Sequence, residues 1–456
     1  MVAGAPSFWA ELSFGEVMLF ILPFTSLLMM IAVFPLFPGV AKWWENNRNK
    51  LLVSALCGVA GVLLFYLPTR DLNHILINYL EYLDFILLLA ALYVTSGGIY
   101  ISGAFAGLPR INTAFLAIGA VLANFLGTTG ASMLLLRPLI RANRLRKHKV
   151  HLIIFFIFIV SNCGGLLTPL GDPPLYLGFL RGMPFAWTLR LFPEWLFIQI
   201  ILLSLFFFMD HIIFRREDEF MKRDLEAEIA AAEKKLHIQG QRNLWFLLLI
   251  MATVLFAGYF LQPRLENRLP LVQAEAWTKI FQAAMLAGIA WFSFRLTPAH
   301  LHERNHFNFH PIQEVAALFF GIFGAMLPAL AVLAAKAPEF HLTQPWQYFW
   351  SSGLLSSFLD NAPTYLTFST LACSSSGISA DSFRALALQF PRLLEAISCG
   401  AVFMGALTYI GNGPNFMVKS MAEHAHIKMP SFGGYMLWSF GILLPIFILQ
   451  TLLFFR

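Results

Sequence analysis

Long runs of apolar residues, separated by short polar loops, occupy most of this 456-residue chain. A run of about 20 apolar residues can cross the hydrocarbon core of a bilayer as one α-helix. We expect a membrane-spanning helix in each of ten stretches: 14–40, 51–68, 83–103, 150–181, 188–213, 243–261, 275–296, 312–334, 384–423 and 432–455. The pattern predicts an all-α polytopic membrane protein with about ten transmembrane helices.

Two of these predicted helices, 150–181 and 384–423, are interrupted by the same short motif. Residues 165–174 read GLLTPLGDPP and residues 405–414 read GALTYIGNGP, and both fit G-x-L-T-x-[LI]-G-[DN]-x-P. Proline removes a backbone donor and glycine loosens the backbone, so a helix breaks at such a sequence. Irregular backbone at membrane depth is tolerated where it lines a cavity or is buried in protein. The motif therefore predicts two broken helices and places a binding site beside them.

Two further apolar segments, 112–139 and 346–372, contain a polar centre. The first has Gly-Thr-Thr-Gly at its middle and basic residues near both ends, which predicts that both ends lie on the cytoplasmic side. The second has Asp-Asn-Ala-Pro-Thr at its middle. We interpret each segment as a re-entrant hairpin.

Composition supports this class. The chain is 58% hydrophobic and only 12% charged, too few charges to cover the surface of a large soluble protein. The net charge of +6 comes from basic residues in short loops, as expected for cytoplasmic loops, and does not indicate nucleic-acid binding. The four cysteines are scattered through apolar segments and have no metal-binding spacing.

The distribution of charge also predicts topology and domain organisation. We expect a multi-pass protein of the cell inner membrane, with both termini outside and a cytoplasmic linker helix at 214–242, where acid-before-base pairs favour a surface helix. The predicted units are N-terminal spans (1–80), a first repeat (81–213), the linker, spans leading to the second repeat (243–311) and the second repeat (312–456).

The two halves match in three places. Asp84 and Glu314 open similar apolar runs at an offset of 230 residues, Phe-Leu-Gly-Thr at 125–128 matches Phe-Leu-Asp-Asn at 358–361 at an offset of 233, and the broken-helix motif recurs at an offset of 240. In the predicted topology the two hairpins enter from opposite sides, so the repeat is inverted. Many secondary transporters use this symmetry for alternating access.

Three segments together carry a resemblance to a known superfamily: SNCGGLLTPLGDPP (161–174), SSFLDNAPTYLTF (356–368) and TYIGNGPNFM (408–417). From about residue 80 onward the chain resembles the ion transporter superfamily. Its NhaD-type sodium/proton antiporter branch and a branch of citrate transporters are the most similar. The resemblance implies two hairpins, two broken helices, elevator-type movement and a homodimer.

The divalent-anion branch carries Ser-Asn-Thr at each hairpin tip, and this chain has Gly-Thr-Thr at 127–129 and Asp-Asn-Ala at 360–362 instead. That departure argues against dicarboxylate binding.

The polar residues at the breaks are the candidate ion ligands. A carboxylate at mid-membrane costs about 2.5–3.5 kcal/mol on insertion scales, so Asp172 and Asp360 are expected to have a purpose. Hard cations such as sodium prefer carboxylate, hydroxyl and carbonyl oxygens. The first half offers Asp172, Thr168, Thr128, Thr129 and Asn162. The second half offers Asp360, Asn361, Thr364, Thr408, Asn412 and Asn415. The alternative is that the Asp and Asn side chains only cap the ends of broken helices.

Other polar residues favour structural interpretations. Asp84 and Glu314 are expected in the first turns of equivalent helices, where the helix dipole favours acids. Lys419 is expected to extend its amine toward the cytoplasm. His302, His306 and His310 lie in a polar loop, as solvated side chains, a pH sensor or metal ligands.

The sequence leaves two transport functions open. The first is a cation/proton antiporter, most simply for sodium, because two acids lie at the breaks without a basic partner in the same motifs. The second is a proton- or cation-coupled symporter of citrate or another carboxylate, which would lack the arginine that usually binds carboxylates. A scaffold protein would leave the repeat unexplained, and no enzyme or ATP-binding motif is present. Besides the lipid bilayer, the expected ligands are sodium and the proton, or a carboxylate, with no other cofactor.

Overall fold

The computed structural model describes residues 5–102, 107–217, 237–305, 307–380 and 382–456. Most of these residues are helical, in agreement with the predicted all-α class. The helices that precede the linker are α1 (Ala5–Ala10), α2 (Phe14–Val33), α3 (Pro38–Trp44), α4 (Asn47–Thr69), α5 (Leu72–Gly97), α6 (Pro109–Ala142), α7 (Val150–Ile159), α8 (Pro173–Leu180) and α9 (Phe192–Arg215).

The chain after the linker is built in the same way. Its helices are α10 (Arg242–Phe256), α11 (Gln262–Glu266), α12 (Leu271–Leu296), α13 (Ala299–Arg304), α14 (His310–Lys336), α15 (Pro345–Ser356), α16 (Asn361–Ser375), α17 (Phe383–Gln389), α18 (Pro391–Met404), α19 (Gly413–His424) and α20 (Phe432–Phe454). One antiparallel pair of short strands, β1 (Tyr100–Ser102) and β2 (His237–Gln239), joins the chain before the linker to the chain after it.

Nine helical segments in the described part of the chain are long and apolar enough to cross a membrane. The bent pair formed by α17 and α18, whose axes differ by 113°, makes up to ten. These numbers agree with a polytopic membrane protein. The helix α12 spans 26 residues but is not among the nine, and its first half carries Glu275, Lys279 and Gln282.

The segment α6 folds back on itself. Its backbone leaves helical geometry at Gly127, whose φ of 73° is accessible to glycine and strained for other residues. The amides of Asn112 and Asn143, near its two ends, exchange hydrogen bonds of 2.8 and 3.0 Å. A straight helix would hold residues this far apart in sequence about 45 Å from each other. We call α6 the first hairpin, and its tip lies at Gly127 and Thr128.

The pair α15 and α16 forms the second hairpin, with its tip at residues 357–360. The two helices pack against each other. The Tyr348 hydroxyl, near the start of α15, donates to the carbonyl of Leu342, and the Ser375 hydroxyl, at the end of α16, donates to that of Ala337. Both ends of this hairpin therefore lie beside the same short segment.

The two predicted broken helices are interrupted where glycine and proline occur. Between α7 and α8 the chain passes through a short 3-10 turn, Cys163–Leu167, and then extended backbone at Thr168 and Asp172. Between α18 and α19 it passes through Gly405–Leu407 and extended backbone at Thr408 and Asn412. The two interruptions therefore have the same local conformation.

The open ends of the two hairpins, away from their tips, lie near opposite ends of α14. The first residues of α14 are near the linker, because Tyr93, close to β1, donates its hydroxyl to the carbonyl of Asn308. The last residues of α14 lead into the segment that holds both ends of the second hairpin. A helix of 27 residues is about 40 Å long, so the ends of the two hairpins are separated by most of the molecule's thickness. We call these the linker end and the opposite end.

A second bundle packs beside the second hairpin, which it contacts through α14 and α16. It consists of α2, α4 and α14, which pack closely on one another. A Cβ added to Gly321 would lie 2.0 Å from the carbonyl oxygen of Ser54, and one added to Gly58 would lie 2.9 Å from the Cα of Gly321. Small residues permit this close contact, which is typical of packed helices in membranes.

Two expectations about helix starts are wrong. Asp84 does not begin a helix, because α5 begins at Leu72 and Asp84 lies buried at its middle. Glu314 lies in the second turn of α14 and forms an ion pair of 2.5 Å with Lys50 of α4. The predicted surface helix of the linker falls mostly on 218–236, outside the described residues. The inverted repeat and the domain boundaries stay predictions.

The topology can be tested with single cysteines in a cysteine-free background. His148, at the linker end, and Glu339, at the opposite end, are both exposed. With the linker cytoplasmic, we expect Glu339→Cys to react with an impermeant thiol reagent added outside intact cells and His148→Cys to react only after permeabilisation. Labelling of His148→Cys from outside would reverse the orientation.

Candidate functional site

Asp172 lies in the interruption between α7 and α8 and is 1% exposed. Its Oδ1 accepts a hydrogen bond of 2.9 Å from the hydroxyl of Thr128, at the tip of the first hairpin. Its Oδ2 accepts one of 2.5 Å from the side-chain amide of Asn361, the first residue after the tip of the second hairpin. One carboxylate is thus held by both halves of the chain.

The first hairpin is attached to the first broken helix by several contacts. The backbone N–H of Thr128 donates to the Gly171 carbonyl at 2.9 Å. The Thr168 hydroxyl donates to the carbonyl of Asn124, and the side-chain oxygen of Asn124 accepts from the N–H of Leu167 at 2.7 Å. These bonds position the hairpin tip directly over Asp172.

The second hairpin is attached to the second broken helix in an equivalent way. The hydroxyl of Thr408 donates to the carbonyl of Ser357, as the hydroxyl of Thr168 does to that of Asn124. Thr408 follows Thr168 by 240 residues and Ser357 follows Asn124 by 233, the same offsets as in the sequence repeat. The matching contacts support an internal repeat in which each hairpin meets the broken helix of its own half.

The two broken helices also contact each other. The side-chain amide of Asn412 donates to the carbonyl of Ser161 and to the side-chain oxygen of Asn162, both at 3.2 Å. The amide of Asn162 donates to the side-chain oxygen of Asn415 at 2.6 Å. Asn415 donates in turn to the carbonyls of Gly405 and Thr408. The two hairpin tips and the two helix interruptions therefore join into one buried polar cluster, which we call the central site.

Asp360 acts as a helix cap. It is the N-cap residue of α16, and its carboxylate accepts from the N–H of Ala362 at 3.1 Å. The Thr364 hydroxyl, one turn on, donates to the Asp360 carbonyl at 3.0 Å. The capping interpretation therefore accounts for the conformation of Asp360, whose charge nevertheless lies beside the central site because Asn361 is the next residue.

Asp172 and Asn412 do not act as caps. Both occupy the N-cap position of a half-helix, α8 and α19, and neither side chain makes a capping hydrogen bond. Both point instead to the partner segments described above. Helix capping therefore does not explain the repeated Asp/Asn position in the motif.

The central site contains one buried oxygen without a donor. Among the described residues, the fully buried side-chain oxygen of Asn361 has no hydrogen-bond partner, although its amide group donates to Asp172. Buried polar atoms are normally paired, so an unpaired oxygen beside a carboxylate and a threonine hydroxyl has the chemistry of an incomplete cation site. In the described part of the chain, neither Asp172 nor Asp360 forms a salt bridge with a lysine, arginine or histidine.

The structure brings most of the predicted ligands together, with a few differences. Thr129 follows Thr128 at the same tip and is only half-buried. Sequence reasoning missed Asn124, Ser161 and Ser357, which supply carbonyl and amide oxygens to the tips. The offset of 233 residues pairs Asn124 with Ser357 and was a usable signal for both.

The lysine and histidines singled out in the sequence lie outside the central site. The Lys419 amine pairs with Glu423 at 2.9 Å and lies over the Tyr409 ring. The ring of His302 packs against Phe294 and Phe307, and His310 begins α14. His306 lies outside the described residues. Within the part of the chain that the structure describes, no group of three or more His, Cys, Asp or Glu side chains is arranged to hold a metal ion.

Comparison with known proteins now identifies the family. A family model described as "Putative citrate transport" matches residues 15–455, nearly the whole chain. The chain belongs to this family. Together with its apolar helices, this membership makes it a multi-pass membrane transporter, related to the superfamily that the motifs resemble. No curated protein matches the chain.

The capping role of Asp360 predicts a difference between two substitutions. Replacing an N-cap Asp by Ala costs about 0.5–2 kcal/mol, whereas Asn caps a helix about as well as Asp. We expect Asp360→Ala to lower the melting temperature of the detergent-purified protein, followed by tryptophan fluorescence, and Asp360→Asn to leave it near that of the wild type. Equal losses in both variants would show that the charge of Asp360, and not its capping oxygen, holds the tip.

Proposed function

We propose that this protein is a secondary active transporter that exchanges a cation, most simply sodium, for protons, with Asp172 as the ion-binding carboxylate. The observation that carries the proposal is the position of Asp172. It is a buried carboxylate held by neutral donors from both hairpins, with no basic partner in the described part of the chain.

The charge of Asp172 requires compensation. A carboxylate away from water is costly unless it is paired, and the Thr128 hydroxyl and Asn361 amide supply hydrogen bonds but no positive charge. One bound monovalent cation, or one proton, neutralises it. The unpaired Asn361 oxygen and the tip hydroxyls are suitable additional ligands for a sodium ion.

The packing also supports an elevator-type cycle. The two hairpins and two broken helices are joined by hydrogen bonds around the central site, which favours their moving as one unit. The helices α2, α4 and α14 form a second closely packed bundle, which contacts the second hairpin through α14 and α16. In the proposed cycle the hairpins and broken helices carry the ion past the bundle of α2, α4 and α14. A homodimer would hold that bundle stationary in the membrane.

Citrate or another carboxylate is the second candidate substrate, and two observations favour it. The chain belongs to a citrate transport family. In addition, the N-termini of α8, α16 and α19 converge on the central site, and helix N-termini attract anions. In that case a cation bound at Asp172 would accompany the anion and offset its repulsion from the two aspartates.

The proposal predicts the effect of one substitution. Asp172→Asn keeps the shape and loses the charge, so sodium-dependent proton movement in proteoliposomes, read with an internal pH dye, should fall at least about tenfold. The estimate follows because an interaction with a charged group contributes about 1.5–3 kcal/mol and each 1.4 kcal/mol is about a factor of ten. Asp71→Asn is the matched control, because Asp71 is the N-cap of α5 and its carboxylate accepts from the His74 N–H.

The same assay separates the two candidate substrates. Proton movement that depends on sodium, lithium or potassium and ignores citrate supports exchange. Citrate uptake that depends on a cation or proton gradient supports the symporter. Unchanged flux in Asp172→Asn with either substrate would remove Asp172 from the mechanism.

Competition at one carboxylate predicts a pH dependence. A protonated carboxyl has lost its charge and part of its acceptor capacity, so a proton and a cation exclude each other there. The apparent affinity for sodium, measured by flux between about pH 6 and 9, should strengthen as pH rises and then level off once the carboxyl is ionised. An affinity that is flat over this range would contradict a shared site.

A further inference from the structure

A second buried polar network lies between α5, α8 and α12, away from the central site. Its centre is Asp84, at the middle of α5, which is 1% exposed. The Gln282 amide of α12 donates to its Oδ2 at 2.6 Å, and the Tyr176 hydroxyl of α8 contacts the same oxygen at 3.4 Å. The other oxygen, Oδ1, is buried and has no hydrogen-bond partner in the part of the chain that the structure describes.

This network is attached to the helix that begins at Asp172. Tyr176 lies one turn after Asp172 in α8, so about 6 Å separates the two residues along the helix axis. Gln282 also donates to the Tyr176 hydroxyl at 2.5 Å, which fixes α8 to α12. A movement of α8 would therefore change the surroundings of Asp84.

Charged side chains continue from Asp84 toward the opposite end of the molecule. Glu81, one turn earlier in α5, lies 3.4 Å from Arg181 and 3.7 Å from Lys279. Lys279 also pairs with Glu275 at 3.4 Å, and the Glu275 side chain is 28% exposed. Asp84 is therefore the inner end of a row of ionisable groups that leads to the surface in an otherwise apolar region.

The charges in this row do not balance. Glu81, Asp84 and Glu275 supply three acids, and Lys279 and Arg181 supply two bases that contact the two glutamates. Among the described residues no salt bridge reaches Asp84, so one negative charge is left at the most buried position. Burial of an uncompensated charge is expensive, which makes Asp84 a group that gains from binding one positive charge.

Close to Asp84, the other helices packed on α5 present apolar or neutral groups, and the charged Arg137 of α6 lies near Tyr93, toward the linker end. From α14, the rings of Phe319 and Phe323 pack on Phe85. From α6, Gly130 lies against Ser96, and from α10 the Asn243 amide lies against Gly98, both nearer the linker end. The titratable and charged groups that face Asp84 are thus Glu81, Lys279, Tyr176 and, beyond Glu81, Arg181.

We propose that Asp84 is a second proton-binding carboxylate of the transport cycle, reached from the opposite end of the molecule along Glu275, Lys279 and Glu81. A hydronium ion at the aqueous end gives up a proton, its O–H bond breaks to leave water, and a new O–H bond forms at Oδ1, so the side chain changes from charge −1 to neutral. The proton leaves by the reverse step when α8 moves and changes the surroundings of Asp84. The inference rests on the proposed coupling of transport to protons, and it gives a transport role to a residue for which the sequence predicted only a helix start.

A proton fits this position better than a metal cation. A hard cation requires several oxygen ligands, about six for calcium or magnesium, and the groups contacting Asp84 are one amide and one phenol, both already hydrogen bonded. A proton requires only the unpaired oxygen. The central site, with its many hydroxyl and amide oxygens, differs from Asp84 in this respect.

The test begins with the wild-type protein in lipid vesicles. A hydrophobic carbodiimide reacts with protonated buried carboxyls, and peptide mass spectrometry locates the adduct. We expect adducts on Asp84 that diminish as pH rises, and that saturating sodium leaves unchanged. We expect sodium to protect Asp172. Loss of that protection alone would count against the proposed function and not against the role of Asp84.

Flux measurements on two variants complete the test. In Asp84→Asn we expect pH-gradient-driven sodium uptake to fall about tenfold or more while sodium still protects Asp172 from the carbodiimide. Glu194→Gln is the matched control, because Glu194 is also a buried acid with an unpaired oxygen, in α9, and it should keep both properties. The inference is overturned if Asp84 carries no adduct at a pH where Asp172 does, or if Asp84→Asn transports like Glu194→Gln. Because the labelling uses the wild-type chain, it decides the question even if Asp84→Asn does not fold.

Discussion

The hydrogen bonds that the Asp172 carboxylate accepts from Thr128 and Asn361 determine much of the architecture around them. A charge buried this deeply is tolerated only when donors are aimed at it. Two hairpin tips must therefore reach the interruption of the first broken helix from opposite ends of the molecule. Glycine permits the close backbone packing at the first interruption. A Cβ on Gly171 would lie 2.1 Å from the Gly165 carbonyl oxygen and would clash with it. The tips, breaks and carboxylate thus depend on one another.

The repeat explains why much of this could be predicted from sequence. A motif that contains Gly, Thr, Gly, Asp or Asn and Pro at fixed spacing requires a broken helix, whatever the surroundings, because the backbone cannot continue as a helix through it. The polar centres of the two hairpin segments identified their tips in the same way, and the structure reverses the chain near Gly127 and Asp360. Thr168 and Thr408 occupy the same position in the repeated motif, and each donates its hydroxyl to a backbone carbonyl near the tip of the hairpin in its own half.

The contacts between the halves could not be predicted, because they depend on how distant segments pack. Asn361 reaching Asp172, and Asn412 reaching Asn162, join residues that no local pattern relates. The start of α5 was missed for a similar reason. Asn78 and Glu81 interrupt its apolar pattern, but Asn78 donates to the Phe323 carbonyl, and Glu81 is paired with two bases from other helices. Asp84 consequently appeared to begin a helix when it lies at the middle of one.

The central claim is that a cation and a proton compete for Asp172 at the meeting point of both halves. Calorimetric titration of the purified protein with sodium, repeated in buffers of different ionisation enthalpy, measures this without transport. The account predicts that sodium binding releases protons at a pH where the site is partly protonated, that the release disappears at high pH, and that Asp172→Asn shows neither binding nor release. Sodium binding that releases no protons at any pH, or that persists in Asp172→Asn, would contradict it.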